Sequence, residues 1–206
     1  MTSDSTIYTI GHSVHSVETF LALLAKTGIS AIADVRSVPF SRRQPQFTQH
    51  ALRERLASGR LSYVFLGSEL GGRGADDSMY DKQGRVQYRR IAESAGFREG
   101  LRRVRSGSAR MRVALMCAES EPLECHRGIL ISRLLVAQGA SVVHIHADGH
   151  LETHIDAECR LLRVMGLHEP DLFRTHEEML ADAYERQEAR IAYVKPSVYS
   201  DNETMR

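Results

Sequence analysis

The chain has 206 residues, 42% hydrophobic and 26% charged, enough apolar material for one real core and too little length for two comfortable domains. No apolar run approaches the roughly twenty residues of a membrane-spanning helix, residues 1–6 do not read as a secretory signal, and three cysteines are an odd number that argues against a disulfide scaffold. With 27 basic and 26 acidic residues the charges nearly cancel, and the expectation is a soluble protein of the reducing cytoplasm with no membrane partner.

Residues 6–10 read as a β-branched strand that stops at Gly11, and Ser16 caps a helix in which Phe20, Leu23 and Leu24 recur at helical spacing. A second strand covers 31–35. After a Pro- and Arg-rich loop, a helix starts near Thr48, carries Leu52 and Leu56 on one face and stops at Gly59. Residues 61–66 give a third strand, 67–84 a long loop, and 86–106 a single helix of about twenty residues with an Arg-rich face. Strands at 112–116 and 141–145 flank a helix near 128–138. Strands separated by helices require crossovers, so the expected fold is α/β: a mostly parallel five-stranded sheet with helices on both faces, over residues 6–149. Beyond Gly149 the pattern is helical only, with Leu151, Ile155, Leu162 and Met165 on one helix and a Thr175/Glu178 capping box opening another. Residues 150–193 are therefore a helical extension and 194–206 a flexible tail.

Polar residues collect after the strands: Gly11-His12-Ser13, then Asp34-Val35-Arg36, then Gly67 through Arg73, then Cys117-Ala118-Glu119 with Cys125-His126-Arg127. In a parallel sheet these share the carboxyl edge, where open α/β folds bind ligands. The sharpest segment is 117–127, a cysteine at a strand end followed by a loop that runs into a helix start. Unpaired backbone N–H groups and a nearby Arg would lower a thiol pKa there. On this reading Cys117 is a nucleophile, Arg36 and Arg127 clamp an anion, His12 or His126 acts as general acid or base, and Asp34 or Glu119 orients a histidine or takes a proton. Cys125 is an alternative resolving thiol. A zinc site of Cys117, Cys125, His126 and His12 is a second reading, but the spacing matches no standard knuckle, and neither metal nor cofactor is expected.

The loop from Arg36 to Phe47, with Ser41, Arg42 and Arg43 between Pro39 and Pro45, suits phosphates and bases, and Ser13 and Arg73 complete the candidate anion contacts. Residues 36–60 hold six arginines against Glu54, and residues 85–112 hold nine against two acids. Residues 148–188 instead hold eleven acids against four arginines, so one positive and one negative face are expected. The expected partner is an anionic small molecule or nucleic acid. A cysteine-dependent hydrolase or transferase is the leading reading, and a non-catalytic nucleic-acid-binding module is the alternative.

As a set, Thr9-Ile10-Gly11-His12-Ser13, Ala33 to Pro39 with Ser41-Arg42, Phe65 to Arg73, and Leu115 to Glu119 with Cys125-His126-Arg127 resemble the motifs of a bacterial family known only as domain of unknown function 488. The resemblance runs from about residue 6 to 149 and implies no particular reaction. More distantly, Asp34-Val35-Arg36 and residues 113–149 resemble the layout of rhodaneses and dual-specificity phosphatases. That likeness implies a Rossmann-like or rhodanese-like three-layer fold with a catalytic Cys, an anion-cradling loop and an Arg opening the next helix. Here the loop is longer, and it carries Glu119, Glu121 and Glu124.

Overall fold

A computed structural model describes residues 6–169 and 171–196. In chain order it has β1 (Ile7–Gly11), α1 (Val17–Lys26), β2 (Ala31–Asp34), α2 (Gln49–Ser58), β3 (Ser62–Phe65), α3 (Gly67–Leu70), α4 (Tyr88–Ala92) and α5 (Ala95–Ser108). Then follow β4 (Val113–Cys117), a π-helical segment (Arg127–Ser132) running into α6 (Arg133–Ala137), β5 (Val142–Ile145), β6 (Leu151–Thr153), α7 (His154–Val164) and α8 (His176–Ile191).

The sheet order is β3-β2-β4-β1-β5-β6; the first five strands are parallel and β6 runs antiparallel to β5. Strand alternation divides the core in two. Tyr8, Ile10, Ile32, Ala114 and Met116 face α1 and α2 through Phe20, Leu24, Leu52 and Leu56. Ile7, Ala31, Ala33, Leu115 and Cys117 face the other way, onto Phe97 and Leu101 of α5, Leu135 of α6, Leu161 of α7 and Tyr184 of α8. Helices on both faces of a buried, mostly parallel sheet make the expected three-layer α/β fold.

Three local features depart from expectation. The sheet has six strands, because Leu151–Thr153 pairs with β5 before α7 begins. The long helix is two: the chain breaks after Ala92, and Ser94 caps α5 by accepting from the Phe97 N–H. Inside the expected loop, Gly67–Leu70 forms the short helix α3. At the C-terminal end Val194 bridges to Arg85 and the Lys195 N–H donates to the Gly84 carbonyl, so the described start of the expected tail is anchored. Residues 197–206 of that tail lie outside the described residues.

Candidate functional site

The topology itself creates a crevice. From β1 the chain departs through α1 on one face, and from β4 through the π-helical segment and α6 on the other. β1 and β4 are neighbours. Their carboxyl ends therefore form a switch point of the kind where open α/β sheets take ligands. A cleft of about 430 Å³ lies there, lined by His12, Arg36, Ser41, Arg73, Cys117, Glu119 and His126 of the expected set, with Ser37, Phe40, Gly72, Tyr88, Cys125 and Tyr193. Asp34 sits behind Arg36, while Ser13, Arg42 and Arg127 are not in the lining.

Cys117 ends β4, buried on the side of the larger core. The sheet pairing continues past it, with N–H groups of His12 and Ser13 donating to the carbonyls of Cys117 and Ala118. Ser13 accomplishes this at a φ of 45° and supplies backbone rather than a ligand contact. Gly11 is required here: a Cβ would stand 1.8 Å from the Glu119 carbonyl oxygen, where the loop crosses β1.

That loop makes a 3-10 turn at Pro122–Glu124 and then places Cys125 in extended backbone, directly before helical His126. The change of conformation between adjacent residues turns both side chains the same way. His126 donates from Nε2 to the Val35 carbonyl at 3.0 Å, which leaves Nδ1 facing two sulfurs, Cys117 Sγ at 3.8 Å and Cys125 Sγ at 3.7 Å. All three donor atoms lie within 4.8 Å of one another. Gly72 lies on the imidazole, with room for no Cβ: one would come within 2.7 Å of His126 Cγ. The Arg127 N–H points at Cys125 Sγ from 3.4 Å, and Glu119 Oε2 lies 3.1 Å from the same sulfur.

The two thiols are unequal. Burial works against a Cys125 thiolate, but the neighbouring Cys117 thiol, the Arg127 charge and His126 outweigh it and lower its pKa well below the ordinary thiol range. Cys117 is pushed well up, first by the adjacent Cys125 sulfur and then by burial. For His126, burial opposes the charge, yet Cys125 and Glu119 raise its pKa. Burial, then Cys125, raises Glu119. The sequence reading took Cys117 as the activated thiol; the backbone N–H of Arg127, of the kind expected to activate it, points instead at Cys125.

Other expected roles also change. Arg127 is fully buried, and its Nη atoms donate to the carbonyls of Glu119 and Ser120 at 2.7 and 2.8 Å. It laces the loop instead of clamping a ligand. Arg36 lines the cleft, but its guanidinium grips Asp34 through two contacts of 2.9 and 2.6 Å and also reaches the Phe47 carbonyl and His12 Nε2. Asp34, which also accepts from Tyr63, thus orients Arg36 and not a histidine. His12 stacks on Phe47, donates to the Ser13 carbonyl and receives Arg36, and burial with the Arg36 charge brings its pKa down to about 4. Neutral and with both nitrogens engaged, His12 has no lone pair to offer a proton or a metal.

Arg73 is the exposed cation of the cleft, lying 4.3 Å over the Tyr193 ring. Its N–H donates to Ser37 Oγ, and Ser41 Oγ accepts from the Gln44 N–H. Arg42 is exposed outside the lining. The loop acids are answered too: Glu121 pairs with Arg160 at 2.8 Å, and Glu124 accepts from Gln187 and faces Arg190. On the arginine-rich helices, Arg89, Arg102 and Arg103 have acidic partners, and Arg90 donates to the carbonyls of Ser78 and Tyr80.

A family model described as "Domain of unknown function DUF488" matches residues 16–134, more than half of the chain. The chain belongs to this family. The matched stretch holds Arg36, Arg73, Cys117, Glu119, Cys125 and His126, while His12 and Tyr193 fall outside it. No curated protein and no solved structure matches the chain. Tyr88 and Tyr193, both in the cleft lining, carried no signal in the sequence. Tyr193 arrives only because the Val86 N–H donates to its carbonyl and ties residue 193 to a segment about a hundred residues earlier. No helix among the described residues is long and apolar enough to cross a membrane.

Proposed function

We propose that this protein is an enzyme, a hydrolase or transferase, which takes an anionic substrate into the cleft at the ends of β1 and β4. The reading rests above all on one observation: the residues after four different strands converge on a single cleft whose lining includes two sulfurs and an imidazole. Packed cores seldom bring such groups together beside open space, whereas reactive sites do so routinely. Arg73 is the anchor for the anion, since it lines the cleft, is exposed and makes no ion pair among the described residues, and the hydroxyl of Ser41 stands in the same lining. Arg36, held by Asp34, shapes the wall and supplies field more than contact. The reacting centre is the cluster of Cys117, Cys125 and His126, with Glu119 beside it as the proton acceptor.

Calorimetric titration of the metal-free full chain with inorganic phosphate, sulfate and acetate tests the substrate class. Saturable binding of at least one anion is expected, weakened about tenfold in Arg73→Ala, the scale of one charge-assisted contact. Absence of binding for all three, or affinity indifferent to Arg73, would remove the anionic-substrate reading.

A further inference from the structure

The three donors at the base of the cleft meet the requirements of a coordination site. Zinc holds sulfur at about 2.3 Å and imidazole nitrogen at about 2.0–2.1 Å, so a tetrahedral ion needs its S and N ligands about 3.5–3.6 Å apart. His126 Nδ1 lies 3.8 and 3.7 Å from the two sulfurs. These are near the spacing of ligands around one ion and at the far end of the range for hydrogen bonds to sulfur.

The surroundings match as well. A ligating histidine ordinarily donates its other ring N–H to a carbonyl or carboxylate, which fixes the tautomer and aims the free nitrogen. His126 does this through Val35. A ligating thiolate is commonly steadied by a backbone N–H, and Cys125 has that of Arg127 at 3.4 Å. The Arg127 side chain in turn fixes the loop through the carbonyls of Glu119 and Ser120. The extended-to-helical change at Cys125 and His126 is what lets adjacent residues serve one ion, which their spacing in the sequence did not suggest.

We infer that Cys117, Cys125 and His126 bind a thiophilic divalent cation such as zinc, with the fourth position open toward the cleft. His12 is no fourth ligand, because both its nitrogens are engaged. Protein supplies three donors and the cleft lies over them, the pattern of catalytic rather than purely structural zinc. Glu119 stands outside the three-donor set, close to Cys125, in place to accept a proton from a water on the open position. A water so bound would pass that proton to Glu119 as its oxygen bonds to the electrophilic centre of a substrate held at Arg73; the bond to the leaving group breaks in turn, and the leaving group takes the proton back from Glu119. This inference rests on the cleft being the working site and names the agent of its chemistry.

Cobalt(II) titration of the metal-free full chain is the test, because thiolate-to-cobalt charge transfer reports the ligands themselves. One cobalt per chain is expected, with a near-ultraviolet thiolate band, strong visible bands of a tetrahedral site, and protection of two thiols from alkylation. Zinc should displace the cobalt and bleach the bands. Cys117→Ser, Cys125→Ser and His126→Ala should each weaken cobalt at least ten- to a hundredfold, the loss seen even for outer partners. Cys159→Ser, on the exposed face of α7, should leave the spectrum unchanged. Lack of a thiolate band in wild type, or a band that survives Cys125→Ser, would overturn the inference. The anion titration on metal-free protein is scored separately, so either reading can fail without the other.

Discussion

Two buried polar clusters in this molecule treat imidazole nitrogen in opposite ways. Under α7 and α8, Thr9 donates to His144 Nδ1 at 2.7 Å, His144 Nε2 to His154 Nδ1 at 2.9 Å, His154 Nε2 to the Tyr184 hydroxyl at 2.9 Å, and Tyr184 to Glu158 at 2.8 Å. Because the last acceptor is a carboxylate, every proton in the chain points the same way and both rings are neutral Nε2–H tautomers. Every nitrogen has a short partner. In the cleft, His126 closes only one nitrogen in this way, and the other faces two sulfurs at nearly 4 Å. The first cluster is complete as protein and ties the sheet to the C-terminal helices. The second is geometrically ordered yet chemically unfinished, which separates a site from a core.

If that contrast is right, damage to closed networks costs stability and damage to the open cluster costs ligand. The largest stability effect belongs to the closed pair in the cleft wall. Asp34→Ala strands the buried Arg36 charge and should lower unfolding free energy by about 3–5 kcal/mol, read from urea denaturation. A change below about 1 kcal/mol would show that Arg36 readily finds water or another partner.

Acid is the next lever. Burial holds the folded-state pKa of His154 near 4, against about 6.5 in an unfolded chain. The unfolded state therefore takes up the proton first, and stability present above about pH 6.5 is lost as pH falls toward 4, by on the order of 3 kcal/mol for this one group. His12 contributes in the same direction, since burial and Arg36 depress it to about 4. Denaturation midpoints at several pH values should show the decline, and His154→Gln should flatten part of it. An unchanged slope in that variant would mean that His154 is not held neutral.

Smaller effects follow in order. Tyr184→Phe strands one histidine N–H and frees Glu158, a loss of about 1–3 kcal/mol with cobalt affinity untouched. Cys125→Ser should shift the melting temperature of the metal-free protein by less than about 4 °C, near 1 kcal/mol for a chain of this size, because a serine hydroxyl can keep the sulfur's contacts with Glu119 Oε2 and the Arg127 N–H. A large destabilisation there, or a metal-affinity loss in Tyr184→Phe, would erase the distinction between the clusters.

The sequence revealed the elements whose pattern is periodic. β1 to β5 were legible from β-branched runs, and the carboxyl-edge convergence followed from what comes after each strand. β6 was not, because three residues cannot display alternation and Leu151 with Ile155 imitates a helical step. The break before α5 was hidden for a similar reason: Ser94 is an ordinary polar residue until the backbone turns and makes it a cap. At the site, the residues were legible but their roles were not. Which Arg faces the cleft depends on contacts such as Arg127 with the Glu119 and Ser120 carbonyls, which no spacing rule contains. The joint aim of Cys125 and His126 depends on two backbone torsion changes, and the arrival of Tyr193 on a pairing between distant segments.

The most direct measurement is anomalous diffraction at the zinc absorption edge from crystals of the full-length protein grown with zinc. One strong peak is expected about 2.3 Å from Cys117 Sγ and Cys125 Sγ and about 2.0–2.1 Å from His126 Nδ1, with the ion's remaining ligand on the cleft side. A Cys117–Cys125 disulfide, or zinc found only on surface histidines with the three donors bare, would contradict it.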